Sequence, residues 1–206
     1  MIAVGEPFSL VGRHVELVPL DRAHAAELTE AASGDRSTYE FTTVPATGAE
    51  MAAYIDRLLA DRDAQRVIPF TQRRASDGRL VGCTRFMDLH WWRDRGDPDE
   101  VEIGGTWLAQ EAQRTPVNTE AKLLLLTHAF DVWRVTRVAL CTDARNEQSR
   151  AAIARLGARF EGVLRHHRAS HVVAEHGRPR DSAMFAITED DWPAVRTNLT
   201  ARLARP

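Results

Sequence analysis

The sequence predicts one α/β or α+β domain built around a mixed sheet. Two observations carry that prediction. Stretches alternating at period two and stretches with an apolar face at period 3.6 are interleaved, in the order β, α, α, β, β, β, α, β, α, β, β, followed by a tail. No repeat, linker or low-complexity tract divides the 206 residues, a length that suits a single domain with a real core. The expected domain is 1–206, with a core over about 13–188 and a tail helix over 189–203.

Each element has its own signal. Val15–Leu20 alternates like a strand, and Asp21 caps a weakly amphipathic helix running to about Ala32. Thr47-Gly48-Ala49-Glu50 is a capping box, and Met51, Tyr54, Ile55, Leu58 and Leu59 then fall on one helical face ending near Asp61 or Arg62. Val67–Arg74 and Arg79–Leu89 are strands joined at Asp77-Gly78, a hairpin signal. Val101–Leu108 is the next strand, and a leucine-rich helix opens at Thr119 and runs to about Trp133. Arg137–Thr142 is a short buried strand, and Asn146–Leu156 a helix with Gly157 as its C′ residue. Phe160–Ala169 and Asp181–Thr188 are the last strands, with Gly177-Arg178-Pro179 in the turn. These make about seven strands.

Composition bounds the function. Hydrophobic residues at 44% and charged residues at 27% are those of a soluble globular protein. The net charge of −2 argues against a general polyanion binder, so no nucleic-acid partner is expected. No apolar run approaches the ~20 residues that span a bilayer, so no membrane partner is expected either. Met1 to Glu6 lacks the basic and apolar regions of a signal peptide. Cys83 and Cys141 both lie in apolar strand-like runs, which points to buried reduced thiols and a cytoplasmic protein.

The most informative stretch runs from Glu102 to Gly157. Its loop Gln113-Arg114-Thr115-Pro116-Val117-Asn118 leads from a strand to Thr119 at a helix start. Backbone N–H groups at a helix N-terminus lack partners and attract anions. Arg114 and Lys122 add charge nearby, and Thr115, Asn118 and Thr119 add side-chain donors. An ordinary capped helix would look the same, so the loop alone is a weak signal.

The neighbouring parts strengthen it. The strand Glu102–Leu108, the loop, Thr-Glu-Ala, the leucine-rich helix, a short strand and Asn146-x-x-Ser149-x-x-Ala152-x-x-x-x-Gly157 together resemble the GCN5-related N-acetyltransferase (GNAT) superfamily. Within it they are most similar to the branch that acetylates ribosomal-protein N-termini. The resemblance implies a mostly antiparallel sheet flanked by helices, with a splayed pair of strands holding acetyl-CoA. It implies that Trp107, Leu108 and Ala109 pair with the pantetheine arm and that Gln113 to Thr119 hold the pyrophosphate. Asn146 matches the family asparagine, which can cap its helix and still donate to the ligand. Ser149 corresponds to a serine placed near the cofactor sulfur to help protonate the leaving thiolate. The tyrosine that many relatives use has Ile153 at its position here. The family loop reads Gln/Arg-x-x-Gly-x-Gly/Ala, so Pro116 and Asn118 stand where glycines are expected. Proline removes one N–H donor, which Asn118 can offset with its side chain and its tolerance of left-handed geometry.

Amine acetylation needs a proton acceptor, because an amine of pKa ~8–10 is mostly protonated at neutral pH. Glu102 is the first candidate. Alternation places it with Gly104 and Thr106 on a face the glycines leave open, opposite Val101, Ile103 and Trp107. A solvated strand glutamate is the competing reading, and Glu100, Asp88 and His90 are competing bases. The segment Arg165 to Arg168, with His171, His176, Arg178 and Arg180, is locally basic. Its histidine spacing fits no tight metal site, so no metal is expected. As a wall of the acceptor groove it would disfavour polycations; as a solvated hairpin it would do nothing. Trp91, Trp92, Tyr39 and Phe41 are groove walls or satellite core.

The expected activity is acetyl-CoA-dependent transfer to a primary amine, a peptide N-terminus or a small molecule, by direct attack in a ternary complex. The first alternative keeps the chemistry with an antibiotic or biosynthetic amine as acceptor, and the second is a CoA-binding regulatory protein with weak turnover. The expected state is a monomer or a homodimer.

Overall fold

The computed structural model describes residues 7–204. Its centre is an eight-stranded sheet in the order β1-β2-β3-β4-β5-β6-β8-β7. The strands are β1 (Leu10–Val11), β2 (Val15–Pro19), β3 (Val67–Arg74), β4 (Leu80–His90), β5 (Glu100–Leu108), β6 (Arg137–Asp143), β7 (Arg159–Ala169) and β8 (Pro179–Thr188). Every neighbouring pair is antiparallel except β5 and β6. The helices are α1 (Ala25–Ala31), α2 (Gly48–Asp63), α3 (Pro116–Thr127), α4 (Glu147–Leu156) and α5 (Trp192–Leu203).

The sheet separates two cores. On one face Val15, Phe70, Phe86, Val101 and Ile103 pack with Val117, Ala121 and Leu125 of α3, Ile153 of α4 and Trp192 and Leu199 of α5. On the other, Cys83 and Trp107 pack with Leu28 of α1 and Met51, Tyr54, Ile55 and Leu58 of α2. The capping box before α2 forms as expected: Glu50 N donates to Thr47 Oγ1, and Glu50 Oε2 accepts from Thr47 N. Asn146 Oδ1 caps α4 by accepting from Ser149 N at 2.9 Å, and Gly157 ends it in the left-handed region at φ 104°.

Several expectations need correction. The sheet has eight strands rather than about seven, because a two-residue strand such as Leu10–Val11 is too short to show a period. Pro179 begins β8 rather than lying in its turn, and the first strand position tolerates proline. The leucine-rich helix starts at Pro116, three residues before Thr119. Thr115 is its N-cap and Pro116 its first residue, where fixed φ fits and the missing N–H has no helical partner anyway. Trp107 does not share a face with Val101 and Ile103; it belongs to the opposite core. The cause is a β-bulge. Cys83 pairs with Trp107 but Arg85 with Gly104, so β5 carries one extra residue at Gly105 and Thr106. Gly105 takes φ 57°, and the alternation reverses beyond it.

A buried carboxylate fixes α3 against the sheet. Glu120 accepts the backbone N–H groups of Arg13 and Val15, each at 2.9 Å, and of His14 at 2.5 Å. This ties the helix that would start at a phosphate to the strand edge on which it rests.

Candidate active site

β5 and β6 pair only at Glu100–Glu102 with Arg137–Ala139, then part. The opening leads into a cavity of about 330 Å³. Gly104, Gly105 and Thr106 of β5 line one side and Leu140, Cys141 and Thr142 of β6 the other. Asn118 and Lys122 of α3 and Ser149 and Ile153 of α4 close one end. Tyr54 and Arg57 of α2 and Arg168 and Arg180 of the β7–β8 hairpin close the other. The cavity therefore passes through the sheet, from the α3–α4 side to the α2 side.

Glu102 lies in this cavity at the last paired position before the strands separate, and is only 4% exposed. It does not look out over open glycines. Arg168 grips it from β7, Nη1 at 3.0 Å from Oε1 and Nη2 at 2.8 Å from Oε2. The same Nη2 reaches Asp88 Oδ2 at 2.5 Å. Space above the glycines is filled: a Cβ on Gly104 would stand 2.8 Å from Met87 Sδ, and one on Gly105 2.3 Å from Arg85 Cζ. Of the competing bases, Asp88 lines the cavity, whereas Glu100 accepts from Arg137 Nε at 3.0 Å outside it. His90 ends β4, exposed.

Lys122 departs furthest from expectation. It does not face the loop. It is 6% exposed, and its Nζ lies 2.6 Å from Thr106 Oγ1 and 3.4 Å from Thr84 Oγ1, hydroxyls that are themselves 2.8 Å apart. Burial, with no carboxylate partner among the described residues, pushes its ammonium down to about 7. The signal for this was helical spacing: Lys122 stands four residues before the fully buried Leu126, on the stripe that faces the sheet.

The loop is ordered by its own side chains. Gln113 Nε2 donates to Leu108 O at 3.1 Å and to Thr38 Oγ1 at 3.0 Å. Thr115 Oγ1 donates to Ala112 O at 2.7 Å and accepts from Val117 N at 3.4 Å. The left-handed residue is Arg114, at φ 60°, while Pro116 and Asn118 are helical. Glycine's freedom is therefore not needed at either substituted position, and the left-handed tolerance of Asn118 goes unused. Thr119 lies inside the first turn of α3. Asn118 Oδ1 is buried with no partner among the described residues, and its side chain lines the cavity.

Trp107, Leu108 and Ala109 lie beyond the cavity, farther along from where β5 parts from β6. Trp107 O accepts from Gln72 Nε2, Leu108 O from Tyr39 Oη, and Ala109 N donates to Val81 O. Ile103 to Thr106 form the β5 wall of that cavity. Tyr39 is core, Phe41 lines the cavity, and Trp91 and Trp92 are exposed away from it. Cys141 is half-buried in the cavity wall and Cys83 is fully buried; both thiols are free. Of the basic hairpin, Arg168, His171 and Arg180 reach the cavity.

A family model described as an acetyltransferase (GNAT) domain matches residues 14–159. A GCN5-related N-acetyltransferase from Brucella melitensis superposes with a TM-score of 0.82 at 30% identity, covering 97% of this chain and 86% of that one. RimJ of Mycobacterium smegmatis shares the fold at 24% identity, with a TM-score of 0.74 and coverage of 95% and 93%. YdaF of Bacillus subtilis, named as a candidate ribosomal N-acetyltransferase, is 31% identical over 116 residues. That match spans 56% of this chain and 57% of the relative's own length.

Proposed function

Because the chain belongs to the GNAT acetyltransferase family, we propose that it is an acetyl-CoA-dependent N-acetyltransferase that acts on a primary amine by direct attack in a ternary complex. One observation carries this reading: an opening through the sheet, with two helix starts at one end and a buried carboxylate at the other. The residues fit the cofactor. α3 offers N–H groups at its start, Asn118 brings an unpartnered buried oxygen that can accept from an amide N–H of the pantetheine arm, and β5 and β6 leave unpaired edges between them.

Bound acetyl-CoA would supply a thioester carbon open to attack and a thiol that leaves. The backbone N–H groups of Val117 and Asn118 and the ordered loop from Gln113 to Thr115 would hold its phosphates. Asn146 sets the start of α4, and so places Ser149 at the cavity wall. Ser149 would be the donor to a departing thiolate there; a thiol of pKa ~8.5 needs little such help. Glu102 takes the proton of the acceptor ammonium, and Arg168 orients it through both carboxylate oxygens. The favoured acceptor is a peptide N-terminus, by analogy with the name of YdaF.

A second base has its own support. A lysine buried without a carboxylate near neutral pH is a competent proton acceptor, and Lys122 lines the same cavity. The pH profile separates the two. With Lys122 as base, kcat/KM rises through about pH 7 and K122M abolishes that limb. With Glu102 as base, K122M leaves the pH profile of the parent unchanged and E102Q removes the activity. The reading as a whole is tested by thermal shift with acetyl-CoA, followed by transfer to a panel of amines. Stabilisation with amine-dependent CoA release supports it; neither one would sink it.

A further inference from the structure

Four arginines line the α2-facing end of the cavity: Arg57, Arg85, Arg168 and Arg180. Only Arg168 is matched by acids, and it takes both that the cavity offers, Glu102 and Asp88. Arg85 and Arg180 have no carboxylate partner among the described residues. Arg180 is only 7% exposed; its Nε is unpaired, and its side chain's one hydrogen-bond partner among the described residues is Cys141 Sγ, 3.7 Å from Nη2, with Asp143 close enough to feel its charge but not bonded to it. Arg85 Nε is likewise buried and unpaired. Its guanidinium lies against the bulge glycine Gly105, where any Cβ would occupy its place. A buried guanidinium without an anion is costly, and its planar fork suits two oxygens of a carboxylate or phosphate.

These cations converge. His171 beside them is held below its ordinary value first by desolvation and then by Arg180, Arg85, Arg168 and Arg57 together. They also stand apart from the cofactor phosphates. Arg85 pairs with Gly104 on the same side of the sheet as Met87 and Glu102, the side covered by α2; α3 lies on the opposite side. Glu102 and Gly104 are one strand repeat apart, about 7 Å. An amine held at Glu102 would have its own oxyanion within a few bonds of Arg85.

We propose that Arg85 and Arg180 form an oxyanion subsite at the acceptor end of the cavity, and that the amine acetylated here carries a carboxylate or phosphate group. This rests on the transferase reading. It deepens that reading by naming the charge of the acceptor. Arg180 lies beyond the residues 14–159 that the family model matches, so half of the subsite belongs to the C-terminal hairpin.

The test uses the full chain, with R85Q and R180Q as separate variants in case one fails to fold. Inorganic phosphate is titrated at constant ionic strength with saturating CoA present, which occupies the cofactor's own phosphate site. Phosphate should raise the Tm of the parent protein, and each variant should lose most of that rise. Matched acceptors differing only as carboxylate, phosphate or carboxamide are then compared in kcat/KM. A charged acceptor should be preferred at least tenfold, and the preference should fall below threefold in either variant; which anion leads identifies the natural group. An unchanged phosphate shift in both variants, or equal use of the carboxamide, overturns the subsite. Acetyl-CoA alone isolates the underlying reading: a protein that binds phosphate through Arg85 and Arg180 but gains nothing from acetyl-CoA keeps the subsite and loses the transferase assignment.

Discussion

Arg168 meets Glu102 fork to fork across 66 residues of sequence, with both carboxylate oxygens taken at 2.8–3.0 Å. The pair joins β7 to β5 at the point where β5 leaves β6. Removing only the cation would strand a buried carboxylate. R168M should therefore lose about 3 kcal/mol of stability in urea denaturation. The double variant E102Q/R168M, which strands no charge, should recover most of it. Equal losses in the single and double variants would show that the pair does not act as a unit.

Lys122 makes stability depend on pH in a defined direction. Burial lowers its folded value to about 7 from an ordinary 10.5. Between these limits the unfolded chain holds a proton that the folded chain has shed, so stability rises with pH. Below about pH 7 both states are charged and the full cost of the buried ammonium is present. K122M should be more stable than the parent at pH 6 by on the order of 2 kcal/mol, and its stability should be flatter between pH 7 and 9. A parent protein no less stable than K122M at pH 6 would contradict this.

Glu120 receives three backbone N–H groups from the segment entering β2. E120A leaves all three without their partner, and a Cβ cannot replace them. The expected loss is about 3 kcal/mol in chemical denaturation. A change under about 1 kcal/mol would mean that water satisfies the segment equally well.

Gly105 should be intolerant of any side chain. Its φ of 57° disfavours other residues, and a Cβ would displace the Arg85 guanidinium. G105A should cost about 1 kcal/mol in stability. It should raise KM for an anionic acceptor and leave KM for the matched carboxamide acceptor unchanged. Equal increases for both acceptors would show that the bulge acts through the cavity wall rather than through Arg85.

Much of this architecture was legible in local sequence. The Thr47–Glu50 capping box, the Asn146 cap and the Gly157 terminus are short-range signals, and each forms as read. Strand and helix order follows from periodicity, which also pointed to Glu102. What escaped was set by tertiary structure. The bulge at Gly105 shows only in the register of β5 against β4, and it undid the alternation beyond it. The partner of Glu102 lies on β7, and no local pattern joins residues 66 apart. Lys122 stands close to the loop in sequence, and only the packing of α3 onto Thr84 and Thr106 of the sheet turns its charge inward. The basic hairpin was visible as composition, but which of its cations lack acids was decided by packing.

The most direct measurement compares E102Q with the parent protein for acetyl transfer and for acetyl-CoA binding in parallel. The parent should release CoA only when an amine is present. E102Q should keep the acetyl-CoA thermal shift and lose turnover ~10²-fold or more. Undiminished turnover in E102Q, or a parent protein that neither binds acetyl-CoA nor acetylates any amine, would contradict the assignment of this cavity as the site of transfer.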